Sequence, residues 1–374
     1  MAVFNPSFSS VNHYLETLPP DWPGGFWLHW GVFVIIIFAF VMSMVMGFIY
    51  LERRGIGRFQ VRLGPNRVGP FGILQPVADA IKVLIKEDII PAKGDKWVYW
   101  LAPVVAFVPA LMIFAVVPFG NGALLADLNI GILYVVAISS VSVVGIFMAG
   151  WSSNNKYSLI GAMRTVAQVV SYEIPLVLSI IGVVLLTGSL SMNKIVEAQT
   201  FPFILLQPLG FLIYFLAACA EINRTPFDLL EAESEIVAGF HIEYSGMKFA
   251  FFYLAEYAEA LAISAIITTL YLGGWRGPIL PPFLWFLIKV FGVFFLIFWV
   301  RSTIPRLRID QVMAFTWKCL LPLALLNLLI TGLEVIVLPE VLHWPVIFLS
   351  LVITAVLIVL WSKLFRLGGG RVEV

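Results

Sequence analysis

Residues 30–67 read "WGVFVIIIFAFVMSMVMGFIYLERRGIGRFQVRLGPNR", and the fold class follows from how this stretch changes along its length. From Trp30 to Leu51 there is no charged side chain. A bilayer core about 30 Å thick is crossed by about 20 apolar residues in a helix. Because lipid offers the backbone no hydrogen bonds, such a run satisfies itself as an α-helix. Glu52, Arg53 and Arg54 then end it abruptly, with Arg58, Arg62 and Arg67 following. Clustered Lys and Arg beside a span mark its cytoplasmic end.

The same test applied to the whole chain finds nine apolar stretches, at about 30–51, 98–119, 129–151, 174–190, 202–220, 250–273, 282–300, 317–338 and 344–361. The fourth and ninth are short, so the count is eight or nine, with nine preferred. Strand-like alternation is absent, which excludes a barrel. Apolar residues make up 61% and charged residues 12% of the 374 positions, against about 25% charged in soluble domains. Mean hydropathy is +0.98. The expectation is an all-α integral membrane protein, residues 1–374 forming a single polytopic membrane domain.

Of the 23 Lys and Arg residues, 20 fall on the side of Arg53 and only Lys194 and Arg276 on the other. That bias puts the N-terminus outside and the C-terminus in the cytoplasm. Cytoplasmic-side loops are expected at about 52–97, 152–173, 221–249 and 301–316. The net charge of +1 makes nucleic acid an improbable partner. Cys219 and Cys319 stand far apart, which argues against a zinc or iron–sulfur site. No basic region precedes the first apolar run, so no removable signal peptide is expected.

The first loop is rich in Gly and Pro turns and then becomes amphipathic after Pro76. Val77, Ile81, Leu84 and Ile85 share one helical face; Asp79, Lys82 and Lys86 share another. A helix of that kind lies along a bilayer surface. In the second loop, "RTVAQVVSYEIP" (164–175) puts Glu173 where the fourth apolar run begins, with Pro175 in the first helical turn. Two readings stay open for Glu173: a carboxylate favoured by the helix dipole, or a proton-carrying acid near membrane depth.

The third loop carries the densest acids, "CAEINRTPFDLLEAESEIVAGFHIEYSG" (219–246). As a helix, 224–235 would put Arg224, Asp228, Glu231 and Glu235 on one face. With Arg224 the one nearby cation, crowded carboxyls would titrate as a set. A solvated acidic face against a basic partner is the plainer alternative. The next span, "AFFYLAEYAEALAIS" (250–264), holds Glu256 and Glu259 in an apolar run. Ionisable groups at that depth mark ion or proton paths, and Glu256 has the better case. Lys289 in the seventh span is a candidate partner, and His241 reads as a loop hydrogen-bonder.

Together these loops resemble the family of the H subunit of respiratory complex I, the NADH:quinone oxidoreductase, and its mitochondrial NADH dehydrogenase subunit 1 counterpart. The motifs are "ERRGIGRFQVRLGPNRVGPFGILQPVADAIKVLIKE", "RTVAQVVSYEIP" and "CAEINRTPFDLLEAESEIVAGFHIEYSGMKFAFFYLAEY". The likeness covers about 30–361. One departure is Ala232, in "EAESE", where the family commonly has Gly.

The resemblance implies a proton-translocating subunit that lines a quinone chamber and couples quinone reduction to a carboxylate relay. Glu52, Arg53, Arg62 and Arg301 would lie at the chamber, with Asp79 and Lys82 near quinone access. Glu221, Asp228, Glu231, Glu233 and Glu235 would form an acid funnel, continued into the membrane by Glu173 and Glu256. Quinone would be substrate, with no cofactor held covalently; FMN and iron–sulfur clusters would sit in partner subunits. Partners would be the other membrane-arm subunits, the quinone-site subunits of the peripheral arm, and lipid, in a bacterial inner (plasma) membrane. Two other classes share parts of this pattern: the membrane anchor of a related hydrogenase complex, and a stand-alone cation or proton transporter.

Overall fold

The computed structural model describes residues 25–120, 124–230, 239–337, 350–357 and 359. Among these the chain is helical and has no strand, an all-α multi-span membrane protein. The helices are α1 (Gly25–Phe59), α2 (Gln75–Ile85), α3 (Lys96–Met112), α4 (Gly131–Ser152), α5 (Lys156–Thr187) and α6 (Met192–Ala198). They continue with α7 (Phe203–Leu206), α8 (Pro208–Glu221), α9 (Gly246–Tyr271), α10 (Pro282–Thr303), α11 (Ile309–Phe315) and α12 (Leu321–Val337). One π-helical segment, Thr316–Leu320, joins α11 to α12.

Seven described segments are long and apolar enough to cross a bilayer: those built on α1, α3, α4, α5, α9 and α10, and the run from α11 through α12. The expected fifth span begins later than its hydropathy suggests. Gln207 breaks the chain between α7 and α8, leaving α8 a shorter apolar helix. The ninth run falls mostly outside the described residues, with 350–357 helical.

Helix α5 corrects the expected loop at 152–173. It starts at Lys156, capped by the Asn155 side chain accepting from Tyr157 N at 3.0 Å, and runs 32 residues to a left-handed Gly188. Hydropathy understates its first half because Ser158, Thr165 and Gln168 are fully buried polar side chains. Their hydrogen bonds go to backbone carbonyls, as buried polar groups require. Pro175 lies inside the helix, not in its first turn.

Helix α9 is the core element. Of its most apolar window 67% is buried, against at most 50% for the other spanning segments. It packs on α1, α3 and α10. Helices α3 and α4 approach closely where Gly145 meets Ala106; a Cβ at Gly145 would lie 2.7 Å from the Ala106 nitrogen. Small residues at such crossings let membrane helices pack. At one end of α9, Lys289 of α10 donates to the carbonyls of Leu272, Gly274 and Arg276 at 2.7, 2.9 and 2.8 Å. Those contacts engage the ammonium as a cap for the chain leaving α9, in place of the expected pairing with Glu256.

At the opposite end of α9 lie the Arg-rich end of α1, the amphipathic helix α2, residues 222–230 and 239–245, and the α10–α11 turn. The turn before α2 depends on Gly72, which has φ +80 and whose Cβ would sit 2.2 Å from the Pro65 carbonyl oxygen. Along α2, Val77, Ile81, Leu84 and Ile85 are all exposed, so its apolar face points away from the chain.

Candidate functional site

The site grows from Glu52, at the point where α1 leaves its apolar run. Its side chain is buried and takes two cations from distant parts of the chain. Arg224 Nη1 donates to Glu52 Oε1 at 3.3 Å, and Arg301 Nη1 pairs with the same oxygen. Arg224 reaches the other way as well: its Nε lies 3.0 Å from Glu256 Oε1, and its guanidinium stacks 4.4 Å from the centroid of the Tyr257 ring. The fork of Arg224 therefore joins a carboxylate of α1 to one inside α9. Two guanidinium and two carboxylate groups balance, which is what lets charge stay buried. Burial works against the cation on Arg224, yet Glu256, Glu52 and Tyr257 hold its pKa well above the ordinary guanidinium value.

Residues 222–230 do not form the expected helix. Asn223 takes a left-handed φ of 54, which turns the chain out of the helical path at the end of α8. Arg224 and Asp228 consequently diverge instead of sharing a face. Asp228 has its own cation, with Arg306 Nη2 at 2.7 Å, so Arg224 is not the one positive charge among these acids. The segment is held in place by backbone contacts. Gln168 of α5 donates to the carbonyls of Ala220 and Phe227 at 2.8 and 2.9 Å, and Leu307 N donates to Pro226 O at 3.0 Å. Ser158 fixes the far side through the Phe240 carbonyl at 2.7 Å.

Glu231, Glu233 and Glu235 lie outside the described residues. Leu230 and Phe240, which flank that segment, both line a cavity of about 40 Å³ with Asn223, His241, Glu256 and Glu259. His241 makes ring contacts with Phe240 and Phe249. Burial pushes its pKa down to about 4, opposed in part by Asp228.

A second cavity of about 20 Å³ lies further along α9, bounded by Glu221, Glu259, Ser139 and Tyr214. Glu173 sits mid-way along α5, so the helix-dipole reading of that residue fails; its neighbours include Ser140 of α4. Sequence context alone ranks Glu259 behind Glu256, yet Glu259 borders both cavities. The available signal is its i+3 spacing from Glu256.

Other predicted positions separate. Arg53 pairs with Asp79, tying α2 to α1, and Gln75 Nε2 donates to Asp79 at 3.1 Å. Lys82 is exposed on α2. Arg62 lines a different pocket, of about 80 Å³, with Arg54 and Arg58, apart from the Glu52 cluster.

Residues 32–332 match the family described as NADH dehydrogenase. The chain belongs to that family. Its relatives include proteins named as the H subunit of NADH-quinone oxidoreductase. One from Dehalococcoides mccartyi is 68% identical over 349 residues, covering 93% of this chain and 99% of the relative. One from Bacillus mycoides is 51% identical, covering 85% and 98%, and one from Brevibacillus brevis is 50% identical, covering 84% and 95%. Within this NADH dehydrogenase family member, the ion-paired charges from Glu52 to Arg306 lie inside the matched region.

Proposed function

We propose that the chain is the membrane subunit of a proton-translocating NADH–quinone oxidoreductase, forming part of the quinone chamber and coupling quinone reduction to proton movement through buried carboxyls. The observation that carries this is the Glu52–Arg224–Glu256 bridge, which links charge at the end of α1 to charge inside α9. Quinone reduction changes the charge and proton demand at its site. A bridged carboxylate pair transmits such a change, because weakening one ion pair alters the proton affinity of the next.

In this reading Glu52, Arg53, Arg62 and Arg301 line the quinone chamber, and Asp79 and Lys82 stand near its access. Helix α2 lies on the bilayer surface with its exposed apolar face in lipid. Glu173, Glu221, Asp228, Glu231, Glu233, Glu235 and Glu256 carry protons. The Arg-rich end is cytoplasmic, the N-terminus outside, in a bacterial inner membrane. The peripheral-arm subunits, with flavin and iron–sulfur centres, dock on that end, and other membrane-arm subunits lie alongside. The names of the relatives favour this assignment over a hydrogenase anchor or a lone transporter.

The test is Glu256→Gln in the assembled complex within its native membrane. Quinone-dependent NADH oxidation per assembled complex is expected to fall by about 10²-fold, the lower range for loss of a positioned proton-transfer group. Undiminished turnover would reject the relay. Ion flux through the purified chain alone would favour the transporter, and co-purification with a nickel-binding large subunit the hydrogenase anchor.

A further inference from the structure

The two cavities along α9 share a single titratable wall. Glu256 borders the first and not the second; Glu221 borders the second and not the first; Glu259 borders both. Glu259 is within electrostatic range of Glu256 and of Glu221, and Glu221 is within range of Glu173. A cavity needs about 10–15 Å³ to admit a water molecule, so spaces of about 40 and 20 Å³ are each large enough for one. A proton moving between Glu256 and Glu221 through these spaces has to cross at Glu259.

Helix α4 supplies the second observation. It places a serine beside each acid: Ser142 by Glu259, Ser139 by Glu221 and Ser140 by Glu173. Each hydroxyl also reaches a carbonyl of its own helix, Ser142 to Ser139 O at 2.9 Å, and Ser139 and Ser140 to Val136 O at 3.0 and 3.1 Å. A hydroxyl has one donor and two acceptor sites. While its proton is given to the backbone, its oxygen accepts from a protonated carboxyl. Turned about its C–O bond, it donates to a carboxylate instead. Such a serine solvates an acid in either charge state, which a proton carrier in a low-dielectric interior requires.

From this placement we infer that Glu259 is the proton-carrying link between the two cavities, with Ser142 and Ser139 solvating it and Glu221 as the charge passes. An O–H bond breaks on the Glu256 side as one forms at Glu259. That proton then leaves Glu259 for Glu221, and the negative charge steps back the opposite way. The inference rests on the relay reading above and adds to it an obligatory stage.

The experiment compares Glu259→Gln with Glu221→Gln in the native membrane-bound complex, reading quinone-linked turnover, proton uptake into vesicles and the redox-induced infrared carboxyl band. If Glu259 is the link, both variants assemble and lose turnover about ten-fold or more. Glu259→Gln also removes one protonated-carboxyl band, a signal that a purely structural role would not move, and Glu259→Asp restores part of the turnover. Loss in Glu221→Gln with wild-type turnover in Glu259→Gln overturns the link while leaving the relay standing. Wild-type behaviour in both overturns the relay and the link together. Should Glu259→Gln fail to assemble, Ser142→Ala keeps the carboxyl in place. A shifted band with slowed proton uptake then supports the link, and an unchanged band with unchanged uptake overturns it.

Discussion

Arg224 and Glu52 stand 172 positions apart in the chain, yet Arg224 Nη1 donates to Glu52 Oε1 at 3.3 Å with both side chains buried. The same guanidinium contacts Glu256 through Nε at 3.0 Å. Removing the cation leaves the buried Glu52 with Arg301 and takes one contact from Glu256, whose side chain is 20% exposed, so the cost falls below the about 3–5 kcal/mol of a fully buried pair. Arg224→Met is therefore expected to cut the yield of assembled complex and lower its thermal unfolding midpoint. Adding Glu256→Gln to the same chain removes the carboxylate that has lost Arg224 and is expected to recover part of that loss. Arg224→Lys cannot recover it fully, because an ammonium lacks the planar fork. A single variant as stable as wild type would show that the bridge contributes nothing.

Gln168 tests whether the 222–230 connection is positioned by α5. Its amide donates to two carbonyls, Ala220 O and Phe227 O, on either side of Arg224. Gln168→Leu keeps the approximate volume and removes both bonds; Ala220 O keeps Asn223 N at 3.2 Å and Phe227 O keeps Leu229 N at 2.9 Å, so the cost is that of lost bonds, about 0.5–1.5 kcal/mol each. The complex is expected to melt earlier, with faster proteolysis near Asp228. Thr165→Val, which removes a bond within α5 alone, serves as the comparison. Equal protease resistance in wild type and Gln168→Leu would contradict the clamp.

The spans are readable because a bilayer demands about 20 apolar residues wherever it is crossed, and α1, α3, α4, α9 and α10 announce themselves that way. The early half of α5 is not, since Ser158, Thr165 and Gln168 lower its hydropathy while being fully buried. Residues 224–230 of the expected helix are not helical, the chain having turned at Asn223. Of the described acids, Asp228 lies beside Arg306 and Glu256 beside Arg224, and these partners are illegible in the sequence. Glu52 meets Arg224 and Arg301 only through the packing of α1, α9 and α10, and neither pairing leaves a trace in local sequence. Asp228, expected among repelling carboxylates, has Arg306 beside it for the same reason.

His241 gives a pH test read as the difference between wild type and a variant that lacks the imidazole. In the unfolded chain an imidazole takes up a proton below about 6.5, whereas burial holds the folded His241 neutral down to about 4. The unfolded state thus binds more protons in that window, and stability falls as pH drops from 6.5 towards 4. The loss reaches at most about 3 kcal/mol near the lower limit. His241→Phe preserves an aromatic ring between Phe240 and Phe249 and removes the titration. Unfolding midpoints of the purified complex, measured stepwise across this range, are expected to decline less steeply in the variant. Parallel curves would mean that His241 is protonated in the folded protein as readily as outside it.

Arg53 and Asp79 separate a local role from a global one. Their ion pair joins α2 to the end of α1, with side chains 38% and 33% exposed. Solvent screens a pair so placed, and its contribution to stability is no more than about 1 kcal/mol. Its geometric role is larger, because α2 has its apolar residues facing outward and Gln75 shares the same carboxylate. Asp79→Asn retains a group able to bind Gln75 but discharges the partner of Arg53. The unfolding midpoint of the complex is expected to stay within about 2 °C of wild type, as a small change in a large assembly requires. The apparent KM for a short-chain quinone is expected to rise about three- to ten-fold, corresponding to about 1 kcal/mol of lost positioning. An Arg53→Gln variant should reproduce that rise, and combining the two should add little, since both remove one contact. An additive double variant would assign Arg53 and Asp79 separate roles, and an unchanged KM in both single variants would detach the α1–α2 junction from quinone access.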